Sequence, residues 1–233
     1  MTSATDPPVR RVRWSRAFRI IVSRHPPIQL FERVADPADW ETLAEIETLT
    51  NDRVRQEIGD ISIVPPTDRV SGSGASFVMA PFTHLGRPSR FSDGRYGVYY
   101  CAREQRTATH ETLFHMGRFY AATREPPLDV NMRVLVGRID GAFHDVRGGA
   151  PRWRRLHDPD DYAPAQALGS RLRAAGSNGV AYDSVRSPGG RCLGAFRPRA
   201  VGLPVQGPHL TYHWSGSRMD RWFDHESERW HEV

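Results

Sequence analysis

The sequence predicts an α+β fold, a single domain of mixed or antiparallel sheets flanked by helices. Three observations carry this. Short β-branched and aromatic runs are interleaved with few helical stripes, no repeat or heptad pattern recurs, and 39% hydrophobic residues over 233 positions suffice for one sizeable core. Strands and helices do not alternate regularly, which argues against a doubly wound parallel sheet.

The elements follow in order. Residues 1–16 are rich in arginine and polar groups and read as a loose basic arm, with one domain spanning 17–233. Phe18–Val22 is an apolar run predicted as a strand, broken by Pro26 and Pro27. The segment after it predicts a packing helix. Asp36 can cap it, Pro37 suits its first position, Asp39 lies in its first turn, and Trp40, Leu43, Ala44, Ile46 and Leu49 form a stripe. Between Ile61 and Phe82 the stretch VPPTDRVSGSGAS must be loop. Gly72 and Gly74 do not have the helix spacing of a dinucleotide-binding fingerprint.

Gly97–Ala102 reads as a strand and Thr107–Thr123 as a helix. On that helix Ala108, Glu111, Thr112, His115 and Phe119 share a face, which places a carboxylate among apolar groups. MRVLVGRI and GAFHDV read as two strands, and residues 163–175 as a helix stopped by Gly176. NGVAYDSV and RCLGAFRP read as strands joined by the turn SPGG, and LTYHWSG with RMDRWFDH as a last hairpin.

Composition excludes several chemistries. All 32 basic residues are arginine, so Schiff-base lysine chemistry and a Walker A lysine are absent. Codon bias accounts for most of this. Cationic work falls to guanidinium groups, which suit bidentate contacts to phosphate or carboxylate. The net charge is +5, yet the arginines are interleaved with acids and sit in no recognisable nucleic-acid motif, so direct nucleic-acid binding is not expected. An acidic small substrate or an acidic protein partner fits the charge equally well. No stretch approaches the ~20 apolar residues of a membrane span. With no secretory pattern and only Cys101 and Cys192, a reducing cytoplasm is the expected compartment.

No metal site is expected. His110-Glu111 and His115 have one residue too many between them for a zinc helix, and His209 with His213 reads as structural. The two cysteines lie in apolar strands, where burial makes a thiol inert. A more coherent set is Arg90, Tyr100, Glu111 and Ser184, with intervals of ten residues from Arg90 to Tyr100 and eleven from Tyr100 to Glu111. Each also has an ordinary account: surface charge, core aromatic, solvated helix face and turn residue.

This set resembles the RES domain, a family characterised by its Arg, Glu and Ser. SRFSDGRYGVYYCAREQRTATHE carries the Arg-aromatic pair, a strand ending Tyr-x-Ala and a helix with Ala-x-x-Glu. GSNGVAYDSVRSPGGRCLGAFRP carries a Tyr-x-Ser strand and a Gly-rich turn. SRHPPIQLFERVADPADWETLAEIETLTNDR is similar to one branch of the family, so the resemblance runs roughly over 20–198. It implies a fold like that of ADP-ribosyltransferase toxins. It also implies breakdown of NAD with release of nicotinamide, to water or inorganic phosphate, and the toxin role in a toxin–antitoxin pair with an Xre-like antitoxin. NAD would be the substrate and no cofactor would be needed. Arg90, Tyr100, Glu111 and Ser184 are the implied catalytic residues. Arg24, Arg186 and Tyr99 are implied as substrate or phosphate contacts, and Arg87 and Tyr99 are the alternatives if the register slips. Transfer of ADP-ribose to a macromolecule, and a non-enzymatic arginine-rich interaction protein, are the rival readings. Self-association is left open.

Overall fold

A computed structural model describes residues 6–23 and 59–233. The expected helix with Trp40, Leu43 and Leu49, and the candidate Arg24, lie outside the described residues. The strands are β1 (Val9–Val22), β2 (Tyr99–Ala102), β3 (Leu128–Asp145), β4 (Gly179–Asp183), β5 (Arg191–Ala195), β6 (Val205–Trp214), β7 (Met219–Asp224) and β8 (Arg229–Glu232). Among the described residues the α-helices are α1 (Ala75–Thr83), α2 (Gln105–Thr123) and α3 (Ala163–Ala174).

The eight strands form one mixed sheet in the order β1-β2-β5-β4-β3-β6-β7-β8. Since β1 also pairs with β3, the strands β1, β2, β5, β4 and β3 close on themselves. Only β3 and β4 run parallel, through His144↔Val180 and Asp145↔Ala181. The expected α+β class with a mixed sheet is what the chain adopts.

Three expectations are corrected. Residues 9–16 are not a loose arm but the first half of β1, paired with β3 from Val9↔His144 onward. Arg11 and Arg13 project from this edge to Asp140, and Arg10 to Asp145, so the charges that suggested an arm belong to exposed strand positions. Second, the stretch read as loop ends at Gly74: its last two residues, Ala75 and Ser76, open α1, which starts straight after Gly74 at φ 88°, a left-handed value that favours glycine. Its Ala75, Val78, Met79 and Phe82 are buried, so packing overrides the breaker signal of Pro81. Third, MRVLVGRI and GAFHDV are one strand, β3, because β1 backs both parts continuously.

Two apolar layers lie on either side of the sheet. Alpha-helix α1 packs with Tyr99, Cys101, Ala181 and Leu193 on one side. Helices α2 and α3 pack with Ala102, Tyr182, Cys192 and Phe91 on the other. A bulge in β1 between Trp14 and Ala17 changes its alternation. Val12, Trp14 and Ala17 therefore join the α1 layer, whereas Phe18 and Ile20 join the α2–α3 layer. Helix α3 ends as expected: Gly176 takes φ 78°, and Ser177 N donates back to Leu172 O at 3.0 Å.

Candidate active site

A cavity of about 590 Å³ opens on the α2–α3 side of the sheet. Its wall includes Phe18, Arg19, Arg90, Tyr100, Glu111 and Tyr182. Helix α2 supplies Ala108, Glu111, Thr112 and His115 to that wall. The shared helical face is thus borne out for these four, while Phe119 is 48% exposed and points elsewhere. Buried Leu113 and Tyr120 anchor the other side of α2, and Thr112 Oγ1 bonds Tyr212 Oη at 2.7 Å, so the carboxylate is set by a helix that cannot roll.

Ser184 follows β4 and meets Glu111 directly. Its Oγ donates to Glu111 Oε1 at 2.5 Å and accepts from the amides of Arg186 (3.1 Å) and Ser187 (2.9 Å). The turn holding it is itself closed by Ser184 N donating to Gly190 O at 2.9 Å. Cys192 on β5 brings its thiol to 3.9 Å from the same carboxylate oxygen. Burial, and then the nearby Glu111, push that thiol well above its ordinary range, so it stays protonated. The expected burial of both cysteines is what the chain adopts, although Cys192 also forms part of the cavity wall.

Arg90 is 6% exposed. Its Nη1 donates to the carbonyls of Leu156 (3.0 Å) and Asp158 (2.9 Å). The guanidinium carbon lies 4.5 Å from the Tyr162 ring centre and 6.0 Å from that of Tyr182. Tyr100 Oη accepts from Phe91 N and shares a hydrogen bond with Ser89 Oγ, both at 2.9 Å. The phenol therefore ties down the loop on either side of Arg90, and only its ring is offered to the cavity. Burial raises the Tyr100 and Tyr182 phenols, Tyr182 also through Cys192 and Glu111, so both stay neutral.

Alternation along β2 separates the two neighbouring tyrosines. Tyr100 faces the cavity, whereas Tyr99 points into the α1 layer and is 3% exposed. Tyr99 is therefore not a cavity contact. Arg87 is exposed and forms no part of the cavity wall, leaving Arg90 as the arginine of that segment at the site. Arg186 does not line the cavity either: its Nη2 donates to Pro159 O at 2.6 Å and its guanidinium lies 3.4 Å from the Phe114 ring centre. It braces the loop carrying Asp160 against α2.

Arg19 was missed as a site residue. Strand β1 meets β2 only at Phe18↔Ala102, and Arg19 sits beside that single pair. Its Nη1 donates to Tyr100 O at 3.0 Å, and its guanidinium stacks 4.7 Å from the Tyr99 ring centre. Its Nε is buried with no hydrogen-bond partner among the described residues. Burial lowers its affinity for the proton, yet a guanidinium remains charged in a protein, so an anion in the cavity would be favoured there. The available signal was an arginine inside the apolar run FRIIV.

No cluster of three or more metal-ligating side chains occurs among the described residues. No described helix is long and apolar enough to cross a membrane.

One cavity beside the closed part of the sheet thus brings together the Glu111 carboxylate, fixed by the Ser184 hydroxyl, and the guanidinium groups of Arg19 and Arg90, a concave lining of the kind in which small molecules bind. The RES domain family matches residues 66–215, more than half of the chain, and the protein belongs to that family. The chain is 29% identical over 209 residues to a protein of Sinorhizobium fredii (strain NBRC 101917 / NGR234) described as "Uncharacterized protein y4oC", covering 87% of this chain and 84% of that one. It is also similar to a chain in the crystal structure of the M. tuberculosis MbcT-MbcA toxin-antitoxin complex. That superposition has a TM-score of 0.44 at 12% identity and covers 89% of this chain and 88% of that chain.

Proposed function

We propose that the protein breaks the nicotinamide–ribose bond of NAD and acts as the toxin of a toxin–antitoxin pair, as its resemblance to RES proteins implies. The observation that carries the catalytic reading is the Glu111 carboxylate held by Ser184 at 2.5 Å in a cavity with arginines on its wall.

The chemistry asks little of an acid catalyst. When the bond between C1′ and the pyridinium nitrogen breaks, its electron pair returns to the ring and nicotinamide leaves neutral. Positive charge then grows on the ribose carbon, and a fixed carboxylate stabilises it electrostatically. Glu111 supplies that charge. Ser184 keeps one carboxylate oxygen oriented and leaves the other for the sugar. Water, or inorganic phosphate, attacks C1′ and completes hydrolysis or phosphorolysis, water losing a proton to solvent.

Arg90 and Arg19 would receive the pyrophosphate through charge-assisted hydrogen bonds. Nη1 of Arg90 is committed to two carbonyls, so its remaining N–H groups carry this role. The Tyr100 ring would stack on nicotinamide or ribose. Arg24 is the further phosphate contact proposed for an inorganic phosphate acceptor, since Arg186 lies outside the cavity wall.

The test is purified protein with NAD, with and without phosphate, products separated by mass. Free nicotinamide with ADP-ribose or its phosphate is expected, and Glu111→Ala should abolish it while keeping the fold. Wild-type turnover in that variant, or radiolabel from NAD appearing on a macromolecule instead, overturns this reading.

A further inference from the structure

A second concavity, about 840 Å³, lies along the outer flank of α2 and between it and the end of the chain. Four guanidinium groups surround it, from Arg106 and Arg118 on α2, Arg186 after β4 and Arg218 before β7. None is paired to a carboxylate among the described residues. Arg186 bonds a carbonyl and stacks on Phe114, and Arg118 lies over the same ring at 5.8 Å. Glu232 is the one acidic side chain on the wall.

The floor is apolar. Leu113 and Met219 are buried beneath it at 2% and 6% exposure, with Phe114 partly open above them. Elsewhere on this surface arginines meet acids, as Arg11 meets Asp140, Arg95 meets Asp93 and Arg197 meets Asp68. Four unneutralised cations around an apolar floor repel one another, and an acidic partner relieves that repulsion while filling the floor.

We propose that this groove docks an acidic peptide segment of another protein that presents an apolar side chain to the Leu113–Phe114–Met219 floor. The carboxylates give attraction and register, and the apolar anchor gives the buried contact on which such interfaces depend. The occupant is a peptide rather than a nucleic acid, because a phosphate backbone would use the arginines and leave the floor unfilled. Arg118 lines both this groove and the catalytic cavity, so a segment bound here ends at the cavity mouth.

The proposal is separable from the NAD reading, since its test needs no turnover. A fluorescein-labelled synthetic peptide of glutamates with spaced leucines would be titrated with the full chain by anisotropy. Parallel titrations would use a leucine-to-serine counterpart and an oligonucleotide of equal charge. The double variant Arg106→Glu with Arg218→Glu, both exposed and outside the catalytic cavity, should weaken the leucine peptide by at least about ten-fold. The same reversal at exposed Arg152 and Arg154, away from the groove, should leave it unchanged. The serine peptide should bind more weakly than the leucine peptide. Thermal unfolding of each variant shows that the fold is retained. Equal weakening by both double variants, equal affinity of leucine and serine peptides, or tighter binding of the oligonucleotide would overturn the proposal.

Discussion

Ser184 Oγ donates its proton to Glu111 Oε1 at 2.5 Å, joining the turn after β4 to the inner face of α2. Because the same oxygen already accepts from two backbone amides, the hydroxyl has one direction left in which to donate. The carboxylate is thereby aimed by residues 73 positions away in sequence.

Ser184→Ala should lower kcat for nicotinamide release by about 10- to 100-fold, the size of a lost hydrogen bond to a charged group. Ser184→Thr, which keeps the hydroxyl, should recover part of it. Steady-state kinetics would check this, and an unchanged kcat in the alanine variant would remove Ser184 from the site.

Arg90→Lys should lose both stability and NAD affinity. An ammonium cannot hold the Leu156 and Asp158 carbonyls and also present a flat cation to Tyr162. Leaving these buried acceptors unpaired costs about 1–3 kcal/mol each. Thermal unfolding and calorimetric titration with NAD would read the two losses separately.

Gly169→Ala should destabilise the protein and disturb the same loop. A Cβ on Gly169 would collide with the Phe91 carbonyl, where α3 packs onto the residue next to Arg90. The carbonyl is held by Tyr96 Oη and cannot easily retreat. Overpacking of this kind costs about 1–3 kcal/mol. Denaturant unfolding gives the stability change, and KM for NAD shows whether the loop has shifted.

Cys101 and Cys192 should resist alkylation in the native state at neutral and mildly alkaline pH. Burial raises Cys101 to about 12 and Cys192 well above its ordinary value, so the reactive thiolate is scarce until far higher pH. Iodoacetamide labelling followed by mass spectrometry should show neither modified before unfolding and both after. Rapid native labelling of Cys192 would contradict its placement against Glu111.

Acid should weaken the fold through Asp145. Burial alone would raise this carboxyl, but hydrogen bonds from Arg147, at 2.8 Å to each oxygen, outweigh it and hold it below its ordinary value. A lowered native value means the stabilisation is complete above the unfolded pKa and is lost as pH falls through the native one. Between about pH 5 and pH 3 the melting temperature should therefore fall more steeply in the wild type than in Asp145→Asn. Parallel slopes would show that the pair contributes nothing.

Local pattern was enough to place most elements, and the resemblance to the RES family was what singled out Arg90, Tyr100, Glu111 and Ser184 as a site. Helical spacing put Glu111 on the face that lines the cavity, because 3.6-residue periodicity is a property of the segment itself. The same reasoning misjudged residues 9–16, an alternating arginine strand held by a partner distant in sequence, and did not reach the proline-bearing helix α1.

What only the tertiary structure decided were questions of side and neighbour. Choosing Tyr100 over Tyr99 requires knowing which face of β2 is covered by α1. Recognising Arg19 requires the single-pair junction of β1 with β2. Moving Arg186 from the cavity to its brace requires the Pro159 carbonyl and the Phe114 ring. Residue type and period are local quantities, whereas the orientation of a face and the completion of a guanidinium's contacts depend on chain segments brought together only by folding.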